Sequence, residues 1–392
     1  MYIITKIPNL AIVMVTDQWI NNITETPITI IGKNGTSREI SETRNQMDGV
    51  TTCRYITTVA LTNTVENPES LEIQSRNGEI MSIPFKHAKT TAPSKVMICI
   101  SPQFAAEQWQ LFIMHVHISR HFGAHMHIYI TSIIESYFKI MLEYEKAGYV
   151  TIQKWIRMKF IDPKSDYFDP NPHVEWRNQA GAQTDCLLQY KEAVDYIAFF
   201  DIDDLLFPKY ATSYWDEINF RFSSRPNASY LYYERHEYEF IKPKTVDQLN
   251  FLEIMRSMKP AWFIKPGKFV IRPEYYNTTW IEFSGRLPQD SRVEVDSPHL
   301  IHVQNQKQQD SNDTIKNSLK ITFDRMDGKL KEMVASKSNN FGTCPNADEC
   351  YLPQRQEYPC IHSDANYKSG PKMIPFSFHY ATDITWSDKI GC

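Results

Sequence analysis

The chain has 392 residues, 42% of them apolar and 22% charged, a globular composition with room for one large domain or two ordinary ones. Its formal net charge of −4 argues against a general nucleic-acid binder, which needs a basic face. No run of about 18 apolar residues occurs, so these residues encode no transmembrane helix, and "NLAIVMV" near the start is too short to span a bilayer and lacks signal-peptide flanks.

Residues 1–92 are polar and rich in Thr and Asn, with alternating stretches such as "ITIIG". They read as a β-rich or irregular N-terminal region. The rhythm changes at Lys95. "KVMICIS" reads as a buried strand, and "FAAEQWQLFIMHVHISRHFG" as a helix closed by glycine. "MHIYITS", "IIESYFKIMLEYEKAG", "VTIQKW", "NQAGAQTDCLLQYKEAV" and "YIAFF" continue as strand, helix, strand, helix, strand. Such alternation predicts an α/β fold with a parallel sheet covered on both faces over residues 93–310. Residues 311–392 form a C-terminal extension with four of the seven cysteines, Cys344, Cys350, Cys360 and Cys392. Their intervals match no zinc pattern, so a disulfide-tied tail is expected, and with it an oxidising compartment. Four cysteines leave three connectivities open. Sequons at Asn22, Asn34, Asn227, Asn277 and Asn312 point weakly the same way.

The chemistry concentrates in "YIAFFDIDDLLFP", where an apolar strand runs into Asp201, Asp203 and Asp204. In open α/β sheets ligands bind beyond the carboxyl ends of the strands. If the chain stays extended, Asp201 and Asp203 face one side and Asp204 the other. Two carboxylates at that spacing can share Mg²⁺ or Mn²⁺, which could in turn hold a diphosphate. Three other readings compete. The acids can cap a following helix, although Pro208 comes early for one. "FFDIDD" is similar to the nucleophile motif of haloacid-dehalogenase-type phosphatases, without their usual small residues after it. "HVHISRHFGAHMH" invites a metal reading, but it lacks the intervening Glu of a zinc helix, and structural histidines fit it better.

The ordered segments resemble glycosyltransferase family 92. The likeness rests on "VMICISPQF", "HIYITS", "MLEYEKAGYVTIQKW", "EWRNQAGAQTDCLLQYKEAVDYIAFFDIDDLLFP", "KFVIRPEYY" and "PHLIHVQN", and spans roughly residues 95 to 305. It implies a GT-A fold, a mixed and mostly parallel sheet flanked by helices. It implies metal-dependent, inverting transfer of a hexose, typically galactose from UDP-galactose, onto a glycan or glycoprotein acceptor. Members usually work in the Golgi lumen or secretory pathway, held by an N-terminal anchor that is not visible in this sequence. Asp204 stands where many members carry Glu, and "TTWIEFSGRLPQ" lacks a His expected there.

The resemblance implies these roles. Asp203 binds Mn²⁺ directly, and Asp201 binds the metal through water or the ribose. His302, rather than His299, adds a further metal ligand. Arg177 and Gln179 reach the uracil or diphosphate, and Asp185 assists there or complements a helix N-terminus. Inversion needs a general base on the acceptor side. Glu234, Glu237, Glu239, Glu282 and Asp290 are the candidates, and the sequence does not choose among them. A non-catalytic glycan-binding protein on the same fold is the alternative.

Overall fold

The computed structural model describes residues 2–4, 9–18, 27–47, 52–104, 108–158, 171–263, 266–282, 291–305, 360–372 and 377–387. At its centre, strands Val150–Lys154, Ala124–Ile130, Val96–Gln103 and Tyr196–Phe200 lie side by side in that order, all parallel. The chain lays down three strands to one side, then returns to place the fourth on the other side of the first. The crevice between Val96–Gln103 and Tyr196–Phe200 is therefore the switch point of the sheet, where open α/β sheets bind ligands.

Tyr196–Phe200 is buried along its whole length because both faces are covered. Val96, Ile98, Ile100, Ala198 and Phe200 pack on helices Trp109–His121 and Glu135–Lys146. Met97, Cys99, Ile197 and Phe199 pack on helix Gln179–Tyr190. Each large side chain buried this way contributes about 1.5–3 kcal/mol. A disulfide between Cys99 and Cys186 (Cα–Cα 6.1 Å) fastens that helix to the first strand.

Beyond the fourth strand the sheet changes character. Lys268–Ile271 pairs antiparallel with Tyr196–Phe200, Tyr230–Phe240 antiparallel with Lys268–Ile271, and Arg292–Asn305 parallel with Tyr230–Phe240. Asp204–Leu206 closes the edge, antiparallel to Arg292–Asn305. The sheet has nine strands, and its described pairings divide into four parallel and four antiparallel. It is thus evenly mixed rather than mostly parallel. Helices Tyr214–Ser223 and Phe251–Ser257 lie within this half, yet its connections bring most of the strands back antiparallel to their neighbours.

The strands of residues 2–87 form a five-stranded and a four-stranded sheet that share a core of Leu10, Ile12, Ile28, Ile30, Ala60, Leu71, Ile73 and Ile83. Leu188 of helix Gln179–Tyr190 packs against Ala11 of this module. Strands Cys360–Lys372 and Ser377–Ser387 form a hairpin whose first strand pairs with Ser132–Ile134. Its Trp386 meets Phe138 edge-on, with ring centroids 4.7 Å apart. Cys360 is disulfide-bonded. The other three cysteines of the expected tail lie outside the described residues.

Four of the five histidines of "HVHISRHFGAHMH", His115, His117, His125 and His127, are buried with partners of their own, and His121 is exposed at the helix end. His117 Nε2 lies 2.8 Å from the Tyr144 hydroxyl and His125 Nε2 2.9 Å from Thr151 Oγ1. His127 reaches the Tyr190 hydroxyl at 3.0 Å and Gln153 Oε1 at 3.1 Å. Burial pushes His127 down to about 3 and His115 down to about 4. Both stay neutral in the native state while the unfolded chain protonates near 6.5. Their contribution to stability is intact above pH 6.5 and is lost as pH falls, by up to about 1.4 kcal/mol per pH unit for each. Urea unfolding at pH 7, 6 and 5 should show this slope, and His127→Gln should flatten it. An unchanged slope in the variant would mean that His127 titrates normally in the fold.

Candidate functional site

The acidic segment does not stay extended. After Phe200 the chain turns, with the Asp204 N–H donating to the Asp201 carbonyl at 3.1 Å. The Asp204 carboxylate accepts the Asp201 N–H at 3.0 Å. Asp204 therefore folds back beside its neighbours instead of facing the opposite side. One carboxylate oxygen from each of Asp201, Asp203 and Asp204 lies within 4.8 Å of the other two. A strand follows these acids, not a helix, so they cap none. The nearest helix, Tyr214–Ser223, is capped by Ser213. Under the turn, neutral His115 donates its Nδ1–H to the Ile202 carbonyl at 3.2 Å.

Lys268 sits opposite the acids. Its side chain is 2% exposed, and its Nζ lies 2.6 Å from Asp201 Oδ2, 3.5 Å from Asp204 Oδ2 and 3.5 Å from Glu282 Oε1. Burial alone works against the ammonium. The carboxylates of Asp204 and Asp201, the hydrogen bond to Asp201 and the Glu282 carboxylate outweigh it, and Lys268 is held above its ordinary range. Gly267 lets this lysine's strand approach closely, since a Cβ there would lie 2.0 Å from the Tyr233 carbonyl oxygen. Arg235 continues the network, 3.6 Å from Glu282 and 3.7 Å from Glu237. These groups sum to five carboxylates and two cations, a local excess of negative charge in a poorly solvated place. Hard oxygen donors in that balance suit a divalent cation such as Mg²⁺ or Mn²⁺.

Gln179 is brought to the same place. Its amide donates to Asp201 Oδ1 at 2.9 Å and also bonds Ser101 at the end of the neighbouring strand. Arg177 lies over the Phe104 ring at 4.7 Å. Asp185 is engaged elsewhere, accepting from the Tyr129 hydroxyl at 2.7 Å and from Gln153 at 3.1 Å. His302 stands opposite Asp204 in one strand pairing and opposite Glu237 in the other. Paired backbones of this kind are about 4.5–5.5 Å apart. Glu237 is 2% exposed, Glu234 and Glu239 are half-buried on the same strand, and Asp290 lies outside the described residues.

Residues 94–342 match the model of glycosyltransferase family 92. A family 92 protein of Caenorhabditis elegans is 45% identical over 430 aligned positions, covering 98% of this chain and 85% of its own length. The chain belongs to glycosyltransferase family 92. A second C. elegans family 92 protein is 33% identical, covering 87% of this chain and 77% of itself. Among solved structures, S. aureus TarS 1–349 in complex with UDP aligns over 53% of this chain and 60% of its own. Its TM-score is 0.31 at 8% identity, too distant to transfer any residue's role.

In this family 92 chain the structure brings together Asp201, Asp203, Asp204 and Gln179, which sequence reasoning singled out, and adds Lys268, His115, Arg235 and the Cys99–Cys186 bridge, which it did not. Lys268 carries one signal in hindsight, a glycine-lysine pair opening an apolar strand. Three successive non-glycine residues, Trp176, Arg177 and Asn178, take left-handed φ values of 43°, 50° and 63° just before Gln179. Trp176 and Arg177 each cost about 1–2 kcal/mol there, whereas asparagine tolerates this region, so Asn178 is the one residue type that hints at the turn.

Proposed function

We propose that this chain is a metal-dependent, inverting glycosyltransferase of GT-A type. It moves a hexose, galactose from UDP-galactose in our reading, onto a glycan or glycoprotein acceptor. The observation that carries this reading is the convergence of Asp201, Asp203 and Asp204 at the switch point of a parallel half-sheet in a family 92 chain. Asp203 and Asp201 would hold Mn²⁺ or Mg²⁺, with His302 as a further ligand from the paired strand. When bound, the cation neutralises charge developing on the leaving diphosphate. Gln179 fixes the Asp201 carboxylate, and Arg177 contributes a cation near the strand ends. The buried Cys99–Cys186 bridge supports a secretory-pathway lumen such as the Golgi as the site of action. Among the described residues, no helix is long and apolar enough to cross a membrane.

For the general base, position favours Glu282. Its carboxylate is 28% exposed and lies beside Lys268, whose other partners are the acids. Glu237, at 2% exposure, cannot meet an acceptor hydroxyl without rearrangement. Glu282→Gln should lower turnover by about 10²–10⁴-fold while donor affinity holds. Turnover within threefold of the unsubstituted enzyme would remove Glu282 from this role.

Calorimetry with UDP-galactose, first with Mn²⁺ and then with EDTA, tests the whole reading. Binding that requires the metal supports it. Equal binding in EDTA would overturn the metal requirement, and preference for another nucleotide sugar would overturn the donor. Folded protein that binds no nucleotide sugar would overturn the transferase reading and leave the alternative, a non-catalytic glycan-binding protein on the same fold, to be tested with glycans.

A further inference from the structure

We propose that Trp176 is a carbohydrate-binding platform, placed to stack on a pyranose ring of the acceptor glycan. It sits at the seam between the N-terminal β module and the central sheet. The inference rests on the glycosyl-transfer reading for its ligand class, and on this chain's own geometry for its location.

Trp176 is 66% exposed, an unusual place for the largest apolar side chain. It occupies the head of the left-handed turn, with φ 43° and ψ 36°. Backbone strain of this kind persists only where neighbours over-determine it. Here they do so from both sides. Val174 forms a parallel bridge with Tyr55 of the N-terminal module. Asn178 accepts the Thr57 hydroxyl at 3.1 Å, from the same strand of that module. Gly181 leaves space for the Asn178 side chain, since a Cβ there would lie 2.2 Å from Asn178 Oδ1. Arg177 is held over Phe104. The chain thus fastens the residues on either side of Trp176 and leaves the indole in solvent.

Distance links the indole to the chemistry. Gln179, three residues on, bonds Asp201 directly. Three Cα–Cα steps place the Trp176 backbone within about 11 Å of Gln179, a separation that one or two sugar rings can bridge. A nucleotide belongs in the crevice over strands Val96–Gln103 and Tyr196–Phe200. Trp176 lies instead between two attachments to the N-terminal module, away from that crevice in sequence and bordered by the module's surface. An indole face offers the apolar, π-rich surface that matches the C–H face of a pyranose. Asp17 and Arg54, paired at 2.8 Å beside Tyr55, bring hydroxyl-binding groups to the same seam.

The test is nitrogen-15 NMR of the indole N–H of Trp176 in the full chain, identified by its disappearance in Trp176→Phe. Methyl β-D-galactopyranoside and methyl N-acetyl-β-D-glucosaminide are titrated separately, without metal or donor. The expected result is a saturable shift with at least one glycoside and none with UDP plus Mn²⁺. In saturation-transfer measurements, Trp176→Ala should weaken glycoside binding roughly three- to tenfold, and Trp176→Phe should keep most of it. A shift with UDP plus Mn²⁺ in place of the glycosides would make Trp176 a base-stacking residue and overturn the proposal. No shift with any of these probes would overturn it too. Donor binding is read separately by calorimetry, so failure of the metal and nucleotide reading would leave the indole result standing.

Discussion

Asp203→Asn will lower UDP-galactose affinity in Mn²⁺ by more than about 100-fold and leave the fold intact. Removing outer-shell partners of a bound metal already costs about 10–100-fold, and a direct ligand should cost more. Asparagine keeps the shape of the side chain and one oxygen but removes the charge that a hard divalent cation needs. Asp203 is half-buried at the turn, so the substitution leaves the apolar core alone. Calorimetry of the variant with Mn²⁺, alongside its urea midpoint, separates a binding defect from a folding defect. Unchanged affinity would show that the nucleotide does not depend on this carboxylate, and the acids would lose their assignment.

Lys268→Met will have the largest effect on stability, a loss of about 3–5 kcal/mol in EDTA. The ammonium is almost fully buried and faces Asp201, Asp204 and Glu282. Methionine fills much of the same volume, so the loss comes from charge and not from a cavity. The substitution also makes the cluster one unit more negative, so Mn²⁺ should bind the folded variant more tightly than it binds the unsubstituted chain. Ligand linkage then returns part of the lost stability as Mn²⁺ is added. Unfolding in urea with EDTA and with increasing Mn²⁺ measures both effects. Equal stabilisation of both proteins by Mn²⁺ would show that Lys268 and the cation do not share the acids.

Lys268 also explains why the acids of a sequence such as "FFDIDDLLFP" can lie beside a core at all. Carboxylates there are costly unless compensated. The compensation comes from a residue more than sixty positions along the chain, on a strand antiparallel to the one that leads into the acids. It also comes from Gln179, which precedes them. Asp185 was expected to assist Arg177 and Gln179 at the nucleotide or to complement a helix N-terminus, and it stands in the middle of helix Gln179–Tyr190. The helix turns it toward Tyr129 and Gln153 instead, since residues six apart on a helix do not share a face.

The sequence by itself determined what local chemistry can encode. Apolar runs alternating with amphipathic ones specify strands and helices in βαβ order, and an acidic cluster after the fourth strand marks the strand end at which open α/β sheets generally take ligands. Tertiary structure alone decided the rest. Register placed His302 opposite Asp204. Burial chose Lys268 as the partner of the acids, and the packing of helix Gln179–Tyr190 on the sheet chose Cys99 and Cys186, 87 residues apart, as a disulfide pair. The left-handed turn at Trp176 exists because Tyr55 and Thr57 of another module hold its two ends. Such features depend on contacts between distant segments, whose energies no local pattern of residue types contains.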